Sequence, residues 1–208
     1  MSDLILSLLS LNFEFINFEF IIMIFVVLAE GFEDIEALAP IDIMRRAGLN
    51  VETVSITDER VVISAHGVGF IADRLLSEID FDEAELLFLP GGMPGATNLD
   101  ACQELREGLK QHFEAGRPIA AICAAPLVLG HLGILKGRRA TCYPGFEGEL
   151  YGANYTAALV EQDGQFITGK GPGAAMELGY VLAERLAGKP VADQLREGMM
   201  YNFLVHSS

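Results

Sequence analysis

Ile119-Ala120-Ala121-Ile122-Cys123-Ala124-Ala125-Pro126 is the most informative stretch of this chain. Four apolar residues, β-branched at both ends, have the make-up of a short strand buried on both faces, as in parallel sheets. The run stops at a cysteine, and Pro126 follows two alanines later. Proline is tolerated in the first turn of a helix, where its missing N–H is not needed, so Ala124 to Leu132 is expected to be helical. A strand that passes straight into a helix through Cys123 is the tight turn that lifts a nucleophile above an α/β sheet.

Working outward, the same alternation recurs. Ile21 to Leu28 is a continuous apolar run that Gly31 ends. Glu33 to Ala47 is expected as a helix, with Ile35, Leu38, Ala39 and Ile43 on its apolar stripe, acids in its first turn, Arg45 and Arg46 in its last, and Gly48 as its stop. Asn50 to Ser55 is the next strand. Val61 to Ser64 and Val68 to Ala72 flank His66-Gly67 as a hairpin. Leu86 to Leu89 is a second buried strand ended by Pro90-Gly91-Gly92, and Gln103 to Ala115 is an amphipathic helix. Arg139 to Cys142, Ala157 to Gln162 and Phe166 to Thr168 are the remaining strands, with closing helices at Ala174 to Leu186 and Val191 to Met200. Such alternation gives an α/β fold with a mostly parallel central sheet between helices.

The chain has 208 residues, is 51% hydrophobic and contains no long polar tract, so residues 23–208 are expected to form one domain. Residues 1–22 form an apolar extension in which Asn12-Phe-Glu-Phe-Ile16 is repeated as Asn17-Phe-Glu-Phe-Ile21. It lacks the basic start of a signal peptide and is too broken by polar residues to span a membrane. The preferred expectation is that Met23 is the natural start; the alternative is an interfacial or partner-binding arm. A formal charge of −15 argues against nucleic acid and anionic membranes as partners. Three widely spaced cysteines fit neither a disulfide framework nor a zinc site and point to a reducing, cytoplasmic compartment. His66, His112, His131 and His206 have no metal-ligand spacing, so no metal is expected.

In an open α/β sheet the ligand site lies beyond the carboxyl ends of the strands. Three such ends stand out: Glu30 to Glu36, Gly91 to Gly95, and Cys123 to Pro126. If their strands are parallel neighbours, an acid, backbone amides and a thiol converge. A drop of about three units in the thiol pKa requires about 4 kcal/mol of preference for the anion. A helix terminus supplies up to about 2 kcal/mol and a hydrogen bond to charged sulfur about 1.5 to 3. Glu36 is the candidate donor of that bond, provided that it is protonated. Taken singly, each feature also has a plain structural explanation. A lone cysteine among apolar residues is more often inert core than nucleophile, Glu36 alone fits a solvated helix acid, and Gly91-Gly92 alone is a turn. Gly169-Lys170-Gly171-Pro172-Gly173 matches no phosphate loop and is expected to be a tight loop beside the site. Cys102 and Cys142 are assigned structural roles.

Together, Ala29-Glu30-Gly31-Phe32-Glu33-Asp34-Ile35-Glu36, Leu89-Pro90-Gly91-Gly92, Ala121-Ile122-Cys123-Ala124-Ala125-Pro126 and Gly171-Pro172-Gly173 resemble the ThiJ/PfpI family, especially the branch of the Parkinsonism-associated protein deglycase. The resemblance implies a flavodoxin-like three-layer sandwich, a homodimer, an easily oxidised Cys123 and a protonated Glu36. It also implies glyoxalase- or deglycase-type chemistry on small carbonyl compounds or glycated adducts, without a cofactor. Protease-like relatives carry a His directly after the nucleophile, where this chain has Ala124, and amidotransferase relatives need a late His-x-Glu that is absent here. Many members of the branch have a His where this chain has Tyr143, and an Arg where it has His66. The expected site is therefore Cys123 and Glu36 as reacting groups, backbone amides at Gly91, Gly92 and Ala124 for an oxyanion, and Tyr143, His66, Gly171 and Pro172 around the pocket. The competing expectation is a non-catalytic redox sensor or chaperone that uses the same thiol.

Overall fold

The computed structural model describes residues 23–205. The extension 1–22, including the first two residues of the expected opening strand, and His206 lie outside the described residues. The elements are β1 (Met23–Leu28), α1 (Asp34–Arg46), β2 (Asn50–Ser55), β3 (Val61–Ile63), β4 (Gly69–Ile71), β5 (Arg74–Leu75), β6 (Ala84–Leu89), α2 (Gly95–Ala101), α3 (Gln103–Glu114) and β7 (Ile119–Ile122). They continue with α4 (Pro126–His131), β8 (Arg139–Ala140), β9 (Asn154–Tyr155), β10 (Val160–Asp163), β11 (Phe166–Gly169), α5 (Ala175–Ala187), α6 (Lys189–Gly198) and α7 (Tyr201–Val205).

Seven strands form one sheet in the order β10-β11-β7-β6-β1-β2-β5. Every pairing in it is parallel except that of β10 with β11. Without the edge strands, the order β2-β1-β6-β7-β11 is the flavodoxin-like 2-1-3-4-5 arrangement, whose ligand crevice lies where the winding reverses beside the first strand. Side chains alternate across β1. Phe25 and Val27 pack with Leu99 of α2, Leu105 and Leu109 of α3 and Val128 of α4. Ile24, Val26 and Leu28 pack on the other face with Ala37, Ile41 and Met44 of α1 and Leu178 and Leu182 of α5. Burial on both faces is why β1 and β7 read as unbroken apolar runs. Among the described residues no helix is long and apolar enough to cross a membrane.

Several boundaries differ from the sequence expectation. The buried face of α1 carries Glu36, Ala37, Pro40, Ile41, Ile43 and Met44, whereas Ile35 and Leu38 are exposed. The helix is turned so that its close approach to α5 falls on Pro40 and Ile43, where a β-carbon on Gly179 would stand 3.1 Å from Pro40 Cα and 2.8 Å from Ile43 Cδ1. Large side chains at positions 35 and 38 have no place at such a contact. Helix α4 has only six residues and starts at Pro126. β8 ends at Ala140 and joins β9 in a separate two-stranded ladder, and β10 begins at Val160. Helices α2 and α7 were not expected; both are short and lack a sustained apolar period.

Candidate active site

β1, β6 and β7 are consecutive neighbours in the sheet, so the three strand ends singled out above lie side by side. At the end of β7, Cys123 has φ +65°. That left-handed conformation is costly for a residue with a β-carbon, and it is held from both sides: Cys123 N–H donates to Gly169 O at 2.9 Å, and Tyr143 N–H donates to Cys123 O at 2.8 Å. The strain turns the half-buried thiol out of the strand line, and the amides of Gly92 and Ala124 hydrogen-bond to its sulfur. Of the three amides expected at an oxyanion, those of Gly92 and Ala124 face the sulfur, whereas that of Gly91 is taken by Glu36 Oε2.

Glu36 is fully buried. Its Oε2 accepts from Gly91 N–H at 3.0 Å, its Oε1 is buried with no hydrogen-bond partner, and its carboxyl group lies close enough to the Cys123 thiol for each to act on the other's ionisation. The first turn of α1 holds it there. Glu33 is the N-cap of α1, and its Oε2 accepts from Glu36 N–H at 2.7 Å. Glu33 N–H in turn donates to Gly91 O at 3.0 Å. Three hydrogen bonds therefore close a ring through Glu33, Glu36 and Gly91. Gly92 (φ +91°) completes the approach: a β-carbon there would collide with Glu33 N and Gly31 O. Sequence reasoning overlooked Glu33, whose one signal was its place three residues before Glu36, the spacing of a cap and the amide that it accepts.

Burial, opposed by the thiol and the Gly91 amide and reinforced by the charge of Glu33, pushes the Glu36 carboxyl up to about 7. Burial and the charge of an ionised Glu36 push the Cys123 thiol up to about 12, while the Gly92 and Ala124 amides pull it down. Beside a carboxylate the sulfur therefore keeps its proton. When the proton rests on Glu36, repulsion is replaced by a hydrogen bond donated to the thiolate. Above about pH 7 the pair carries one negative charge, which oxygen or sulfur can hold. This corrects the sequence-based account of the thiolate: α4 begins three residues beyond Cys123 and is too short for its terminus to be the source of the anion.

Tyr143, Gly171 and Pro172 are brought together, lining an apolar hollow of about 240 Å³ with Pro144, Leu159 and Lys170. Its two walls continue the segments hydrogen-bonded to the Cys123 backbone. His66 is not part of it. The β3–β4 hairpin is stitched to the start of α1 by Gly31 N–H to Ile63 O (2.8 Å) and Ala65 N–H to Phe32 O (2.7 Å), so His66 Nδ1 meets Asp34 Oδ2 at 2.6 Å. Asp34 raises the His66 pKa, and ligand atoms of Glu33, Asp34 and His66 lie within 4.8 Å of one another. Cys142 is buried, and burial pushes its thiol up to about 12.

The profile of the DJ-1/PfpI family matches residues 23–185. The chain is 41% identical over 169 residues to Protein DJ-1 homolog B of Arabidopsis thaliana, covering 80% of this chain but 39% of that protein. It therefore spans about two fifths of the length of that relative. A Pyrococcus abyssi protein named a deglycase is 32% identical over 71% of this chain and 89% of its own length. Toxoplasma gondii DJ-1, solved in an oxidised form, superposes with a TM-score of 0.83 at 34% identity, covering 86% of this chain and 98% of its own.

Proposed function

The chain belongs to the DJ-1/PfpI family, and from that premise we propose that it is a cysteine-dependent enzyme acting on small reactive dicarbonyls or their adducts, with Cys123 as nucleophile and Glu36 as proton carrier. The observation that carries the reading is the buried carboxyl of Glu36 set beside the Cys123 thiol, the two meeting across Gly91, with the Gly92 and Ala124 amides favouring the anion of the same sulfur. A structural cysteine needs neither.

On methylglyoxal the thiolate adds to the aldehyde carbon, and the oxygen takes the charge beside the Gly92 and Ala124 amides and then the proton of Glu36. Glu36, now ionised, removes the hydrogen from the former aldehyde carbon and returns it to the ketone carbon through an enediol. The first carbon is oxidised and the second reduced, leaving a lactoyl thioester that water hydrolyses to lactate and the free thiol. The electrons balance within the substrate, so the scheme calls for no cofactor. Adducts of the same carbonyls on proteins are the related substrate class, as the name of the Pyrococcus relative suggests. The reading includes a cytoplasmic homodimer; the exposed Ile35 and Leu38 of α1 support an apolar contact between copies.

Lactate formation from methylglyoxal by the wild type and not by Cys123→Ser tests the proposal, and equal activity in both would remove the catalytic role. The oxidised state of the Toxoplasma relative favours a second reading, in which the same thiol is a redox sensor. That role predicts oxidation of Cys123 by peroxide with no turnover of dicarbonyl.

A further inference from the structure

We propose that Glu33 is the positioning residue of this site: capped onto the Glu36 amide and tied to Gly91, its carboxylate aims the Glu36 side chain and keeps the shared proton on Glu36 rather than on Cys123. The inference rests on reading Cys123 and Glu36 as the working pair, and it adds a residue that touches neither substrate nor sulfur.

Three observations carry it. First, Glu33 is almost wholly buried at 9% exposure, although an N-cap acid at a protein surface ordinarily faces water. Secondly, the ring through Glu33, Glu36 and Gly91 means that the acid cannot move without releasing the Glu36 amide. Thirdly, the titratable groups facing Glu36 are Cys123 from the end of β7 and Glu33 from its own helix start. Asp34 and, from the β3–β4 hairpin, His66 lie beside Glu33, their polar atoms within 4.8 Å of one another. A charge bonded to the Glu36 backbone disfavours a second negative charge on the Glu36 side chain. The pair can lose one proton in two ways, as thiol with carboxylate or as thiolate with neutral acid, and these forms carry the same net charge. Their ratio is therefore independent of pH and is set by neighbours. The Glu33 charge acts on Glu36 and is not among the influences on Cys123, so it tips the ratio towards the thiolate.

Glu33→Gln keeps an oxygen to accept the Glu36 amide and removes the charge. Two readouts separate charge from cap. One is the alkylation rate of Cys123 against pH, followed on its own peptide; the other is the infrared band of the neutral Glu36 carboxyl, identified by difference from Glu36→Gln. The expected result is that the plateau of the alkylation rate falls about tenfold while its midpoint moves to lower pH, and that the carboxyl band weakens. Simple misfolding moves neither in this paired way, and the thermal midpoint of Glu33→Gln checks for it. An unchanged plateau and band in Glu33→Gln, with impairment confined to Glu33→Ala, would reduce Glu33 to a helix cap and overturn the inference. Wild type inactive on dicarbonyls but showing the band and its loss would instead defeat the proposed function alone.

Discussion

Gly91 donates its amide hydrogen to Glu36 Oε2 at 3.0 Å, and that same oxygen lies 2.5 Å from where a β-carbon on residue 91 would stand. Cys123 Cβ and Ile122 O are each 2.7 Å from that point. Residue 91 is thus pinched between the acid and the thiol, and alanine there must push them apart. Gly91→Ala is expected to cost about 1–3 kcal/mol of stability and to abolish dicarbonyl turnover. Gly148→Ala is the matched control, because a β-carbon there meets nothing within 4 Å. Chemical denaturation together with a lactate assay checks both, and a fully active Gly91→Ala would contradict the geometry.

Glu36→Gln separates ionisation of the thiol from proton transfer. The amide of glutamine can donate to sulfur and carries no charge to repel it, so Cys123 should still be alkylated at neutral pH. It cannot take up or release a proton, so turnover of methylglyoxal should fall about 10²- to 10⁴-fold. Parallel loss of alkylation and turnover would mean that Glu36 serves only to ionise the thiol.

The central strands and the strand-to-helix turn at Cys123 were legible because a central parallel strand is apolar on both faces and such a turn has a recognisable composition. The orientation of α1 was not. Ile35 and Leu38 fit an apolar stripe as well as Ala37 and Ile41 do, and only the tight packing of Pro40 and Ile43 on Gly179 excludes them from the core. That error concealed the better reason for Glu36 turning inward: it lies on the buried face itself. Glu33 was illegible for a different cause. Its role exists only once Gly91, 58 residues away along the chain, closes the hydrogen-bonded ring. His66 was misplaced because sequence cannot tell which side of a strand end a hairpin will cover.

The exposed apolar side chains of α1 give the homodimer a direct test. Leu38→Glu places a charge on a surface that the proposed dimer buries and should shift the protein to monomers in light scattering at micromolar concentration. Leu38 does not pack in the core, so the thermal midpoint of the monomer should change little apart from any loss of dimer linkage. An unchanged mass would move the dimer contact elsewhere or remove it.

Two buried groups should give the folded chain opposing responses to pH. The Glu36 carboxyl is raised from 4.5 to about 7, chiefly by burial. Between those values the unfolded chain ionises it and the folded chain does not, so stability falls as pH rises, by about 3 kcal/mol over the interval. His112 is buried, its Nε2–H donates to Pro118 O across 3.0 Å, and its Nδ1 is without a partner. Burial lowers it from 6.5 to about 4, so the unfolded chain takes up the proton first and stability falls as pH drops, again by about 3 kcal/mol. The two slopes nearly cancel in the wild type between pH 4.5 and 6.5. Removing one should uncover the other: measured against wild type, Glu36→Gln gains stability as pH rises, and His112→Gln gains it as pH falls. Urea denaturation across that range reads both differences, and constant offsets would mean that these groups titrate in the folded chain as they do in the unfolded one.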